Sequence, residues 1–260
     1  MKKITLGFIL LALAPGVSWA SERHFGFSYE SPVLKEGTRE LESYTTYRFG
    51  RDTFFSGLKE SLEFEVGLGD GLQTSLYLNF DQELADDGTG TGTIDESLLF
   101  DGVATEFKFK LLDNAADSVG LGLYLETEFE PDELDVETKV IVDKKTGQLL
   151  WTLNLTVEPR FDLIADTTTL SVTPSAGLGV FLVPDRFFLG LEVVNENEYS
   201  GTPQSQAKSI LSTGPVLSYT GNNWWTTLTI LPQVANLMGS SLDLTNSQRW
   251  QIRLANSWEL

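Results

Sequence analysis

From about residue 38 onward, apolar and polar side chains alternate along the chain with a period of two. Between Gly57 and Leu68, the residues Leu58, Leu62, Phe64, Val66 and Leu68 share one face, while Lys59, Ser61, Glu63, Glu65 and Gly67 share the other. Helical spacing would scatter these charges around an axis, so the segment reads as a strand. Beyond Gly69-Asp70-Gly71, Leu72, Leu76, Leu78 and Phe80 oppose Gln73, Ser75, Tyr77, Asn79 and Asp81. A three-residue hairpin loop at that point sets Leu68 against Leu72, Phe64 against Leu76, Leu62 against Leu78 and Glu65 against Ser75, with both apolar combs on one side of the ribbon.

Twelve segments carry this alternation, near residues 38–49, 57–68, 72–81, 101–112, 119–129, 134–142, 149–158, 168–181, 187–195, 209–219, 224–231 and 248–260. Connections after the second, fourth, sixth, eighth and tenth are tight, as at Asp143 to Gly147 and Pro184-Asp185, whereas Gln82 to Phe100, Asn195 to Lys208 and Pro232 to Ser247 are longer and polar. The short stretch Glu130 to Glu133 is the exception to that alternation. An even strand count, with both termini at the short-turn end, predicts an all-β fold. It is an antiparallel transmembrane β-barrel of about 12 strands over residues 38–260, with short periplasmic turns and longer extracellular loops. A soluble sandwich also alternates, but needs strands of only about 5–6 residues, and most of these approach the roughly 9–11 that cross a bilayer. Aromatic residues near strand ends, namely Tyr44, Tyr47, Phe49, Phe54 and Phe55 and then Trp224, Trp225, Trp250 and Trp258, are expected in interfacial belts.

The chain opens with Met1-Lys2-Lys3, an apolar run from Ile4 to Ala14, and Val17-Ser18-Trp19-Ala20. That pattern predicts a secretory signal peptide over residues 1–20, cleaved after Ala20, followed by an N-terminal periplasmic segment over 21–37 and a cell outer membrane location. Pro15 and Gly16 interrupt the run too early for a spanning helix, which needs roughly 20 apolar residues. Loss of Lys2 and Lys3 leaves 16 basic residues against 37 acidic, a formal charge of −21. Such a balance makes nucleic acid and anionic lipid headgroups poor partners; the partners expected of the barrel are the lipid bilayer, the barrel-insertion machinery and a small solute, with no nucleic acid. The last strand resembles the C-terminal strand by which barrels are delivered for insertion, with Leu260 in place of the usual aromatic. There is no cysteine; a chain of this size folds without disulfides.

Little in the sequence points to catalysis. The one histidine, His24, precedes the first strand, and a hydrolase needs its imidazole held beside a nucleophile. For a metal, Asp86-Asp87 lacks the ordered spacing of a calcium loop, and Gly88, Gly90 and Gly92 lie in a Thr-Gly stretch rather than a phosphate loop. No catalytic residue, cofactor or metal is expected. The polar faces of the strands are more informative. Glu40, Glu42 and Arg48, then Glu63, Glu65 and Tyr77, Glu106, Lys108 and Lys110, Glu126 and Glu128, Glu137 and Lys139, Glu158 and Arg160, and Glu192, Arg249 and Arg253 all fall opposite the apolar combs. In a barrel that face is the lumen, where the charges either fill and rigidify a narrow interior or line a pore and set its selectivity.

The stretch "RELESYTTYRFGR", Arg39 to Arg51, with "LEFEVGLGDGLQTSLYLNF" after it, has a Glu-x-Glu strand ending in Arg, a second Glu-x-Glu strand, a Gly-Asp turn and a strand ending in Tyr-x-Asn. From Gly37 to Asp81 it resembles the N-terminal hairpins of bacterial outer-membrane barrel families, among them the transporter-like family named for its association with the phenol meta-degradation pathway. The resemblance implies a membrane barrel concerned with solute passage and supplies no catalytic residues. The expected function is therefore passive movement of a small solute. The alternatives are a closed structural or surface-interaction barrel and a membrane hydrolase dependent on His24.

Overall fold

The computed structural model describes residues 22–88, 92–200 and 205–260, so the leader expected over residues 1–20 lies outside the described residues. Every regular element among them is a strand: β1 (Arg39–Phe49), β2 (Phe55–Gly69), β3 (Leu72–Asp86), β4 (Ile94–Leu112), β5 (Gly120–Phe129), β6 (Glu133–Thr146), β7 (Leu149–Asp162), β8 (Thr167–Val183), β9 (Phe187–Ser200), β10 (Gln206–Thr220), β11 (Trp224–Asn236) and β12 (Trp250–Glu259). Each pairs antiparallel with its neighbours in sequence, and β1 closes on β12 from Glu40 opposite Glu259 to Phe49 opposite Trp250. Each predicted segment holds one strand. Closure leaves no unpaired edge, the condition for strands to cross hydrocarbon.

The β2–β3 hairpin keeps the expected register, with Phe64 opposite Leu76, Leu62 opposite Leu78 and Glu65 opposite Ser75. Leu68 does not face Leu72. The turn is the two-residue Asp70-Gly71, both left-handed at φ of 51° and 78°, and the extra residue is absorbed as a bulge between Gly67 and Gly69. A pair of left-handed residues matches the twist of the flanking strands, and glycine takes the second position without steric cost.

The apolar combs face outward around the whole circumference: Leu76 is 64% exposed and Leu78 47%, with Leu123, Leu153, Leu189, Leu191 and Leu254 in the same condition on other strands. Apolar surface this continuous is stable only against another apolar phase, and the fold is that of a transmembrane β-barrel. Tyr47 stacks on Phe49, and Phe49 on Trp250, at the loop end, while Trp224 and Trp258 pair across β11 and β12 at the turn end; these occupy belt positions. Tyr44, Phe55 and Trp225 do not belong to the belts. They are buried inside, because proximity to a strand end does not decide orientation and the period-two phase does.

The polar stretches expected as long loops are built largely as strand: β3 runs to Asp86, β4 starts at Ile94, β9 reaches Ser200, and the longest remaining connection is 237–249. Backbone pairing continues past the apolar band because it satisfies ladder groups in water as well as in lipid. Arg249 consequently stands exposed before β12 instead of on the lumen wall. A larger departure concerns residues 22–36. Expected as a periplasmic segment, they lie inside the barrel, with Arg23, His24, Phe25, Ser28, Glu30, Ser31 and Leu34 all buried.

If Leu78 faces hydrocarbon, Leu78→Arg should lower stability by about 2–4 kcal/mol, the cost of a cation near bilayer mid-depth, read from denaturant titration in lipid vesicles. A cost near zero would place that face outside the membrane.

Candidate functional site

Residues 22–36 form a re-entrant loop that enters the lumen from the turn end and returns to it. Its base is clamped where Glu30 accepts hydrogen bonds from the backbone N–H of His24 (2.9 Å) and faces the imidazole Nδ1 (2.9 Å), with the ring lodged against Phe181 and Phe188. The deepest stretch is held by Glu192 of β9. Its carboxylate accepts the consecutive backbone N–H groups of Gly26 (2.8 Å), Phe27 (3.0 Å) and Ser28 (2.8 Å), and the Thr229 hydroxyl (2.7 Å). Successive N–H groups converging on one carboxylate make an anion nest, and charge-assisted bonds of this kind are about twice as strong as neutral ones.

Further contacts fix the rest of the loop. The Tyr29 backbone donates to Asn154 and its carbonyl accepts from Thr152 (2.6 Å) and Asn154 (3.0 Å), Ser31 N–H donates to Asp143 (3.2 Å), and Leu34 N–H donates to Gln73 (3.0 Å). Inward glycines make room. A Cβ at Gly177, opposite Glu192, would lie 2.5 Å from the Phe25 ring, and one at Gly67 would lie 2.0 Å from the Lys35 carbonyl oxygen.

Above the loop, toward the open ends of the longer strands, is a polar cavity of about 420 Å³ floored by Arg23, Phe27, Tyr29 and Arg253. Arg253 donates to Thr46 (2.8 Å) and to the Gly26 carbonyl (3.1 Å), and its guanidinium lies 4.1 Å from the centre of the Phe27 ring. Ion pairs line the wall: Arg48 with Asp81 (2.7 Å), Lys59 with Asp101 (3.0 Å), Lys139 with Glu137 (2.7 Å), Arg160 with Asp135 (2.7 Å) and Lys208 with Glu196 (3.0 Å). The wall formed by β1 to β4 is different. Glu42 stands directly opposite Glu63, and Glu40 opposite Glu65, with Glu106 nearby on β4. Tyr44 donates to Glu42 and Tyr77 to Glu106.

The residues read as lumen candidates are therefore divided between levels. Glu40, Glu42, Glu63, Glu65, Tyr77, Glu106 and Lys108 are buried on the wall beside the loop. Glu126, Glu128 and Arg253 line the cavity, where Asn79 donates to Glu128. Arg48 is paired at the loop end, and Lys110 binds Asp113 (3.1 Å) at the turn end. Asp113 is held below the usual carboxylate range by the backbone N–H of Ala116, by Lys110 and by the N–H of Ala115. Glu130, in the β5–β6 connection, is pushed up to about 7 by partial burial and by Asp101. Glu192 was read from sequence only as one lumen charge among many, whereas Asn154 and Thr229, which also hold the loop, and Arg23 within it were not singled out. The inward glycines Gly67, Gly120 and Gly177 were the available signal. As for His24, its ring nitrogens face two carboxylates, Glu30 and Glu22 (3.4 Å). These contacts, with the ring against Phe181 and Phe188, place the imidazole at the clamp that closes the base of the loop.

A closed barrel with an apolar outside and a charged lumen defines the class, a transmembrane β-barrel. The chain belongs to a family of unknown function, DUF6662, whose sequence profile matches residues 17–259. Comparison with curated proteins finds no match. Among solved structures the fold is similar to the COG4313 outer membrane channel from Pseudomonas putida F1, with a TM-score of 0.64 at 10% identity over 88% of this chain and 98% of that one. It is also similar to the NanC porin (TM-score 0.56, 13% identity, 85% and 100% coverage) and to the translocator domain of the autotransporter NalP from Neisseria meningitidis (0.51, 9%, 88% and 91%). At these identities the likeness is one of fold.

The chain has no cysteine, so Ser28→Cys places a single thiol in the nest region. Maleimide labelling should be slow in that protein and about 10–100-fold faster when Glu192→Ala is added, the factor corresponding to one charge-assisted contact of roughly 1.5–3 kcal/mol. Equal rates would show that Glu192 does not retain the loop.

Proposed function

We propose that the protein is an outer-membrane channel for passive movement of a small solute, exported by a leader cleaved after Ala20 and gated by its own residues 22–36. The observation that carries this reading is the manner in which the loop is held. A charged cavity lies above a segment retained chiefly by backbone hydrogen bonds to lumen side chains, which water can replace when the segment moves. An interior meant only to be filled gains more from apolar packing than from buried charge. The resemblance of the first hairpins to a transporter-like family and the fold likeness to a channel and a porin support the same direction. In this reading Glu126, Glu128 and Arg253 meet the solute first, in the cavity, and the carboxylates beside the loop are met once it is displaced.

Planar-bilayer recording tests both parts. The native chain should show low or intermittent conductance and Glu192→Ala a larger and more persistent one, while Glu128→Gln should shift reversal potentials in a salt gradient toward weaker cation preference. Folded native and Glu192→Ala barrels that both fail to conduct would favour the closed structural barrel.

A further inference from the structure

The β1–β4 wall carries acceptors that the rest of the fold does not satisfy. Glu63 and Glu106 are each 1% exposed and Glu65 is 5% exposed. Both carboxylate oxygens of Glu63, the Oε2 of Glu65 and the hydroxyl of buried Ser75 have no hydrogen-bond partner among the described residues. Among those residues, too, none of Glu63, Glu65 and Glu106 has a cationic side chain within ion-pair distance. Register makes them converge: Ser75 pairs with Glu65 on one side and with Glu106 on the other. One carboxylate oxygen from each of Glu63, Glu65 and Glu106 lies within 4.8 Å of the other two.

We propose that Glu63, Glu65 and Glu106, with the Ser75 hydroxyl, hold a hard divalent cation of the calcium class in the lumen wall. Buried carboxylates left facing one another are strongly unfavourable without a positive charge between them. A single shared proton would join two of the unpartnered oxygens and leave the others. A calcium-sized ion takes six to eight oxygens at about 2.3–2.6 Å, so ligands on opposite sides lie up to about 5 Å apart, which accommodates this spacing. The donors are all oxygen, with no imidazole or thiolate, which selects a hard ion over zinc or copper. No sequence motif marks such a site, because its ligands come from three strands, β2, β3 and β4, and not from one ordered loop. Gln73 links it to the plug, donating to Glu65 (2.7 Å) while accepting from Leu34 N–H. This inference concerns binding and does not require that a solute pass.

The test uses the folded full-length barrel in detergent, stripped with a chelator. Added calcium, at about 100 times its Kd, should raise the melting temperature by roughly 5–10 °C. Terbium should give luminescence sensitised by Tyr77, whose hydroxyl is bonded to Glu106, and calcium should quench it competitively. Glu63→Gln should weaken both responses at least tenfold, whereas Glu96→Gln, a carboxylate at the exposed loop end, should leave them unchanged. Should Glu63→Gln not fold, Ser75→Ala removes only the neutral ligand and should weaken terbium binding several-fold. Absence of any calcium shift and of sensitised luminescence in the native protein would overturn the proposal. So would a calcium response equal in native, Glu63→Gln and Ser75→Ala proteins, or a cluster that responds to pH alone.

Discussion

The contact between the Glu192 carboxylate and three successive backbone N–H groups decides what kind of barrel this is. A carboxylate on an inward strand position must be hydrated or given donors, and here the donors come from a segment more than 160 residues away in sequence. The segment in turn acquires acceptors for backbone groups that a loop inside a lumen would otherwise bury unsatisfied. Each solves the other's problem. The remaining loop contacts, through Asn154, Thr152, Asp143 and Gln73, follow the same logic of backbone donors or acceptors meeting strand side chains. Apolar and aromatic packing adds to this on two sides, where Phe25 lies with Leu150, Phe181, Phe188 and Val216 and where the Tyr29 ring lies edge-on to Tyr124.

The two faces of the wall obey different rules. Outside, alternation is sufficient, because lipid asks only that each outward side chain be apolar. Inside, composition matters locally. On β6 and β7 acids meet bases, as where Arg160 stands directly opposite Asp135, and cross-strand opposite charges stabilise the ladder. On β1 and β2 acids meet acids, and like charges directly opposite destabilise it. The loop partly offsets this, since Arg23 donates to Tyr44 (2.7 Å), which itself donates to Glu42. Charge on this wall is therefore tied to the presence of the loop.

How far the sequence foretold this differs by feature. The combs Leu62-Phe64-Val66 and Leu76-Leu78-Phe80 read correctly because a strand's facing is set by its own neighbours. The count and order of strands followed for the same reason, as did the inward placement of Glu63, Glu65, Glu106 and Glu128. The orientations of Tyr44 and Trp225 were misread by giving strand ends more weight than phase. Residues 22–36 could not be placed in this way: "ERHFGFSYESPVLKE" alternates only briefly, Phe25-Phe27-Tyr29 against Gly26-Ser28-Glu30, and its structure rests on contacts such as Gly26 with Glu192 and Tyr29 with Asn154 that no local pattern reports. Only the glycines at inward positions hinted that something fills the space their side chains leave.

The geometry of the loop also fixes the direction in which it could leave. Gly37, left-handed at φ of 80°, turns the chain from the loop into β1, and its N–H bonds the Gly67 carbonyl while Gly67 N–H bonds that of Thr38. Those bonds join the base of the loop to the turn end of the barrel, and the His24–Glu30 clamp lies at the same level beside Phe181 and Phe188. On the proposed gating reading, a pivot at Gly37 with the clamp released would carry Phe27 and Tyr29 away from the cavity and toward the turn end. Of the ion pairs that line the cavity wall, Lys139–Glu137 touches the loop, the Lys139 ammonium lying 3.6 Å from the centre of the Tyr29 ring. On the proposed channel reading, selectivity at the loop end and closure at the turn end would rest on largely different side chains, joined through Arg23, Arg253 and Lys139.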